Sequence, residues 1–217
     1  MPRRANPKPQ PPTTVLFVRH GQTPSTGAVL PGRAKGLHLA DKGREQAAAV
    51  AERLGAVPNV QAVYASPLER TRETAAPIAK RLEMRVQTNR GLLECDFGTW
   101  TGRKLKDLMK LPEWRTVQSY PSGFRFPEGE SFSGMQTRIC DAVSRLVAQH
   151  PGGTIVAVSH ADPIKAAVAA ALGTHLDLFQ RIVISPCSIT AVAYGAGGPV
   201  VLTVNSTTGG VASMKAS

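Results

Sequence analysis

The chain is short of cysteine, of aromatic side chains, of acidic residues and of long apolar runs, and each shortage closes off a class of protein. Its three cysteines, Cys95, Cys140 and Cys187, are odd in number, far apart and without a CxxC spacing. Neither a disulfide framework nor a zinc site is expected of them, and they read as buried thiols. No apolar run approaches the roughly 20 residues of a membrane-spanning helix. The opening MPRRANPKPQPP lacks the apolar centre of a secretory signal, so a cytoplasmic location with no membrane partner is expected. Aromatics make up 5% of the residues, too few to interleave with basic side chains as base-stacking platforms. Acidic residues number 15 against 26 Lys and Arg, a net charge of +11. Beyond Arg3, Arg4 and Lys8 that charge is dispersed, so no nucleic-acid partner is expected. A positive field of this kind suits a small phosphorylated substrate, or belongs to a solvated basic surface.

What is present is the composition of one globular domain: 217 residues, 42% hydrophobic and 19% charged. Residues 1–12 are basic, proline-rich and aperiodic, and read as a flexible extension. A single domain is expected over 13–205, with a fraying Ser/Thr/Gly-rich tail over 206–217. Inside the domain, strand and helix signals alternate. TTVLFV (13–18) and TIVAVS (154–159) are β-branched apolar runs of the kind covered on both faces. QAVYAS (61–66) is a third strand. Helices are predicted over 42–54 with Asp41 as cap, 67–82 with Pro67 in the first turn, 132–149 and 162–172. Further strands are predicted at 180–185, 188–194 and 199–204, with one short helical piece near 102–110 in an irregular stretch over 90–130. Such a long insert inside a compact domain is usually functional. The alternation predicts an α/β fold, a three-layer α/β/α sandwich around a mainly parallel sheet.

Ligands of such folds sit beyond the carboxyl ends of the strands, and three strands here end in groups suited to one chemistry. VLFV runs into Arg19 and His20, VYAS stands just before Arg70, and IVAVS runs into His160. A neutral, fixed imidazole is a competent nucleophile. Arginine forks match phosphate oxygens, and Gly21 would let backbone approach a ligand. In LLECDFGTW (92–100), Glu94 and Asp96 are the candidate proton donors, because a carboxyl beside a phosphate dianion has its pKa raised. No HExxH or other metal-ligand spacing occurs, so no metal and no cofactor are called for. Taken singly, each residue has a plain structural alternative: Arg70 as a surface partner of Glu69 or Glu73, His160 as a satisfied core histidine. Their joint placement at strand ends is what points to phosphoryl transfer.

These segments resemble the histidine phosphatase superfamily, which includes the phosphoglycerate mutases. RHGQT (19–23), SPLERTRETA (66–75), LLECDFGTWTG (92–102), PEGES (127–131) and VSHAD (158–162) match its motifs in family order. The resemblance implies a phosphoglycerate mutase-like fold and a phosphohistidine on His20, held by Arg19, Arg70 and His160, with Glu94 as proton donor. Glu130 and Ser131 are expected to open a helix as charge and cap. The chain departs from the family after RHG, where many relatives carry a Trp-Asn pair and then Gln-Gly. Gln22, Thr23, Thr26 and Lys35 are the substrate-loop candidates in QTPSTGAVLPGRAKG (22–36). Arg33, Arg103 and Lys104 are further cations for a second anionic group, or surface charge. The mutase-type segment after the glutamate is absent, which favours hydrolysis of a small phosphorylated metabolite over mutase action. A phospho-ligand sensor with a decayed site is the reading from another class, and the intact pocket set argues against it. A homodimer is left open.

Overall fold

The computed structural model describes residues 10–210. Six strands form one sheet: β1 (Thr13–Arg19), β2 (Val60–Ala65), β3 (Val86–Thr88), β4 (Thr154–Ser159), β5 (Ile189–Gly195) and β6 (Gly198–Ser206). Their order is β3-β2-β4-β1-β5-β6, with the β2–β3, β2–β4 and β1–β4 pairs parallel and the two pairs of β5 antiparallel. The mainly parallel α/β sheet anticipated from the alternating pattern is the one observed. Both faces of the central strands are covered, as a near-continuous apolar run requires. Val15 and Phe17 of β1 face one core, and Leu16 and Val18 face the other. Each is at most 2% exposed, and such burial contributes about 1.5–3 kcal/mol per side chain.

Helices α1 (Asp41–Gly55) and α2 (Glu69–Arg81) pack on the Leu16 face through Val50, Leu54, Ala75 and Ile78. Helices α5 (Phe132–Gln149) and α6 (Ala161–Ala171) pack on the Phe17 face through Met135, Ile139, Ile164 and Val168. Between β3 and α5 lie two short helices, α3 (Leu105–Leu108) and α4 (Pro112–Ser119), and several 3-10 turns. This segment carries Phe97, Trp100, Phe124 and Phe126 into the Phe17-side core. No described helix is long and apolar enough to cross a membrane.

Several local expectations are corrected. Asp41 lies inside the first turn of α1, the cap position is Ala40, and the Asp41 carboxylate pairs with Arg44. A carboxylate there complements the helix dipole without capping. Helix α2 begins at Glu69 because Leu68 is still extended, which leaves Pro67 outside it. Residues 180–185 form no strand: a 3-10 turn, Leu176–Arg181, is followed by backbone whose polar groups go to side chains. The Ile184 carbonyl accepts from Arg19 Nη1 at 2.7 Å, and the Ser185 amide donates to Asn205 Oδ1 at 2.6 Å. The three-residue β3 and helix α4 were not anticipated. Strand β6 runs one residue past the expected domain end, to Ser206, and the Ser206, Thr208 and Gly209 carbonyls accept from the Arg53 guanidinium. Most of the N-terminal extension, residues 1–9, and the last seven residues, 211–217, lie outside the described residues.

Candidate active site

Strands β1 and β4 are parallel neighbours with Arg19 opposite Ser159, so the next residues, His20 and His160, leave the sheet at one level. Their ring centroids are 5.2 Å apart with planes at 62°. From this point β1 leads to α1 on one face of the sheet and β4 to α6 on the other. A crevice opens where neighbouring strands part in this way.

His20 is 5% exposed. Its Nδ1 lies 2.8 Å from the Gly21 carbonyl. A carbonyl only accepts, so Nδ1 carries the proton and the lone pair resides on Nε2. Burial, then the Arg70 and Arg19 charges, lower the imidazole pKa to about 3. The ring is therefore neutral near pH 7 and its tautomer is fixed, as a nucleophile requires.

Arg70 is the largest fully buried side chain among the described residues, which removes the reading of it as a surface partner of Glu69 or Glu73. Its Nη2 donates to the Gly32 carbonyl at 2.7 Å, while Nε and Nη1 are buried without a partner among the described residues. Arg19 Nε and His160 Nδ1 are in the same condition. Burial, Arg70 and His20 all hold the His160 pKa well below its ordinary value. Ser66 Oγ lies 2.9 Å from His160 Nε2; with that hydroxyl donating, Nδ1 carries the proton. Three buried guanidinium nitrogens, joined by His160 Nδ1 when Ser66 donates, thus stand near His20 without partners among the described residues, and a tetrahedral oxyanion would supply them. The first turns of α2 and α6 begin beside Arg70 and His160, and their dipoles add to the same positive field.

Glu94 is 7% exposed, and its Oε1 accepts from the Cys95 amide at 3.0 Å. Burial and the nearby Asp162 carboxylate raise its pKa to about 7 against the opposing pull of Arg70 and Arg19. The phosphate dianion invoked from sequence is thus not needed to raise it. Two guanidiniums fix the Glu94 backbone: Arg33 Nε donates to its carbonyl at 2.9 Å and Arg138 Nη2 at 3.2 Å. Arg138 also holds the Gly91 and Leu93 carbonyls, and both arginines share Glu130. Burial acts to raise the Glu130 pKa, but Arg138 and Arg33 outweigh it and keep the group ionised. Sequence reasoning missed Arg138 and Ser66 altogether, took Glu130 for helix-start charge and counted Arg33 among substrate or surface cations. Glu130 and Arg138, one at each end of two helical turns, gave the only local signal. Ser131 does cap α5, accepting from the Gly134 amide at 3.0 Å.

The substrate-loop candidates are placed differently. Thr23 and Thr26 bond to each other, with hydroxyl oxygens 3.0 Å apart. The Gln22 backbone is pinned to Gln46 and Ala40 of the α1 start. Lys35, Arg103 and Lys104 are exposed. Gly21 is not open towards a ligand: a Cβ there would meet the Gly43 carbonyl of α1 at 2.5 Å, so the glycine serves close backbone packing. Among the described residues, no three His, Cys, Asp or Glu side chains are grouped to hold a metal ion.

The model of the histidine phosphatase superfamily, branch 1, matches residues 15–207. A bifunctional protein of Mycobacterium tuberculosis is 32% identical over 204 residues, covering 90% of this chain and 54% of its own length. The chain thus spans about half the length of the first curated relatives it matches. Phosphoserine phosphatase 1 of Hydrogenobacter thermophilus is 29% identical, with 89% of this chain and 92% of that protein covered. The native structure of a mycobacterial glucosyl-3-phosphoglycerate phosphatase superposes with a TM-score of 0.81 at 25% identity, covering 89% of this chain and 98% of that one.

Proposed function

The chain belongs to the histidine phosphatase superfamily, and on that premise we propose that it is a phosphomonoesterase working through a phosphohistidine, without a metal ion. The observation that carries this reading is the neutral, tautomer-fixed His20 ringed by buried, unpartnered donors of Arg19, Arg70 and His160. In the first step His20 Nε2 bonds to phosphorus as the ester P–O bond breaks. Glu94, protonated up to about pH 7, gives its proton to the departing alkoxide. The two arginines and His160 bind the equatorial oxygens, where charge is spread in the transition state. In the second step the Glu94 carboxylate takes a proton from water, the oxygen attacks phosphorus and the P–N bond breaks. Phosphate leaves, and both residues return to their starting forms. Relatives named as phosphoserine and glucosyl-3-phosphoglycerate phosphatases support hydrolysis over phosphate return.

The test is phosphate release from alkyl phosphates in the presence of a chelator, with 2-phosphoglycerate formation from 3-phosphoglycerate followed separately. Release is expected, with an acid-labile phosphoryl label on the protein and a loss on the order of 10⁴-fold or more in His20→Ala. Release that survives His20→Ala, or that stops with the chelator, overturns the mechanism. Isomerisation without release replaces it by the mutase reading, and phosphate binding without turnover by a sensor.

A further inference from the structure

Beside the reactive centre lies a cavity of 240 Å³ walled chiefly by Phe97, Trp100, Trp114, Val117 and Phe126, all from the irregular segment before α5. Its link to the site is one side chain. Asp162, two residues past His160 in the first turn of α6, lines it and also acts on the charges of Glu94 and Arg19. Phe97 follows Glu94 by three residues, and Leu30 stands two before Gly32, whose carbonyl holds Arg70. The indole rings of Trp100 and Trp114 are nearly parallel, 6.4 Å between centroids and 19° between planes.

The polar edge of the cavity is already balanced. Lys165 is the one cation of its lining; its Nζ lies 3.3 Å from Asp162 Oδ1 and 3.0 Å from Gln180 Oε1. Arg33 is committed to Asp96, Glu130 and the Glu94 carbonyl. Lys35, Arg103 and Lys104 are exposed and outside the lining. A carboxylate on the leaving group would therefore enter an aromatic space without an uncommitted cation to meet it, at a desolvation cost. Size points the same way: an apolar cavity of about 150 Å³ holds one benzene ring, so 240 Å³ takes a ring with a short linker.

We propose that this cavity receives the alcohol side of the substrate, and that the substrate is a phosphomonoester of an uncharged alcohol carrying an aromatic ring or a compact apolar group. The proposal rests on the phosphomonoesterase reading and names its substrate class. It separates this chain from a phosphatase or mutase built for phosphorylated carboxylic acids.

The test compares kcat/KM for 2-phenylethyl phosphate, ethyl phosphate, phosphoserine and 3-phosphoglycerate. The first is an alkyl ester, so the acidity of a phenol does not create the preference. Phenylethyl phosphate is expected to exceed both carboxylate-bearing esters by about tenfold or more. Trp114→Ala removes one wall and Val117→Phe fills the space. Each should lower the phenylethyl-to-ethyl ratio of kcat/KM by about tenfold, chiefly through KM. The two changes alter the volume in opposite directions, so a variant that fails to fold leaves the other to decide. A ratio unmoved in a folded variant overturns the proposal. So does preference for phosphoserine or 3-phosphoglycerate that is abolished in His20→Ala, which leaves the phosphomonoesterase reading standing. Hydrolysis of none of the four esters removes both.

Discussion

The strand ends and the loop that follows the first of them treat polar groups in opposite ways. At the strand ends Arg19, Arg70 and His160 bury nitrogens without partners among the described residues. Leaving a buried donor unsatisfied costs about 1–3 kcal/mol, so a fold keeps several together only where something else engages them. In the loop, the Thr23 and Thr26 hydroxyls satisfy each other, and Lys35 extends into solvent. The loop's polar contribution is indirect: the Gly32 carbonyl orients Arg70, and Arg33 braces the Glu94 backbone. On the proposed reading, the groups that bind and attack phosphorus sit at or just past the strand ends, and the loop helps to hold Arg70 and Glu94 in place.

The comparison breaks most visibly if its acid is removed. Glu94→Gln keeps the shape of the buried carboxyl and takes away its proton exchange. Hydrolysis of an alkyl phosphate should fall about 10²–10⁴-fold, and that of 4-nitrophenyl phosphate, whose leaving group needs no proton, much less. Wild-type kcat/KM for the alkyl ester should decline as pH rises through about 7, where Glu94 loses its proton, and the variant should lack that limb. Stability gives an independent readout. The folded-state pKa lies above the ordinary 4.5, so the folded protein binds the extra proton between the two values. The associated stabilisation is fully present below 4.5 and lost as pH rises through about 7. Glu94→Gln should therefore be the more stable protein at pH 8, by on the order of 1–3 kcal/mol, with the margin shrinking in acid. An unchanged alkyl-ester rate in the variant would remove Glu94 from the chemistry.

A smaller effect sets two glycines against each other. Gly21→Ala would drive a methyl to 2.5 Å from the Gly43 carbonyl, a backbone contact that cannot swing aside. About 1–3 kcal/mol of stability should be lost, and activity with it, because the Gly21 carbonyl fixes the His20 tautomer. In the loop, a Cβ on Gly36 meets nothing within 4 Å, and only its φ of +74° resists substitution. Gly36→Ala should cost about 1 kcal/mol and leave kcat where it was. Thermal unfolding and turnover of both variants measure the difference. Equal loss of turnover would mean that strand end and loop are not separate regions.

How much of this was legible in the sequence depended on range. The strands β1 and β4 announce themselves as apolar runs, and the α/β rule puts their ends at one edge, so Arg19, His20 and His160 were found together. Arg70 was drawn in by its place just after a third strand, although nothing local says that a guanidinium in SPLERTRETA is fully buried, and the choice of Glu94 over Asp96 needed the family motifs. The supporting layer was hidden because its contacts span the chain: Arg33 to Glu130, and Arg138 to Gly91. The strand expected at 180–185 failed for a related reason. Its apolar residues were visible, but its carbonyl and amide are claimed by Arg19 and Asn205 from far along the chain. Gly21 was placed rightly and explained wrongly, because the backbone of α1 that it touches lies 22 residues on.

The smallest expected effect is the most direct probe of the loop. Lys35 is the loop cation that the sequence offered for substrate binding, yet its side chain is exposed and makes no hydrogen bond among the described residues. Lys35→Ala should change stability by no more than about 0.5 kcal/mol, as other exposed substitutions do. Removing its charge weakens the positive field felt by an incoming dianion, but ions screen that field over about 8 Å at physiological salt. The KM for 2-phenylethyl phosphate should therefore rise by less than about twofold at 0.15 M salt, and by somewhat more at low ionic strength, with kcat constant. That salt dependence separates steering from contact. A lysine touching the substrate would raise KM about tenfold at either salt concentration, because a desolvated pair is little screened. Such a result would place Lys35 in the binding surface and give the substrate a second anionic group.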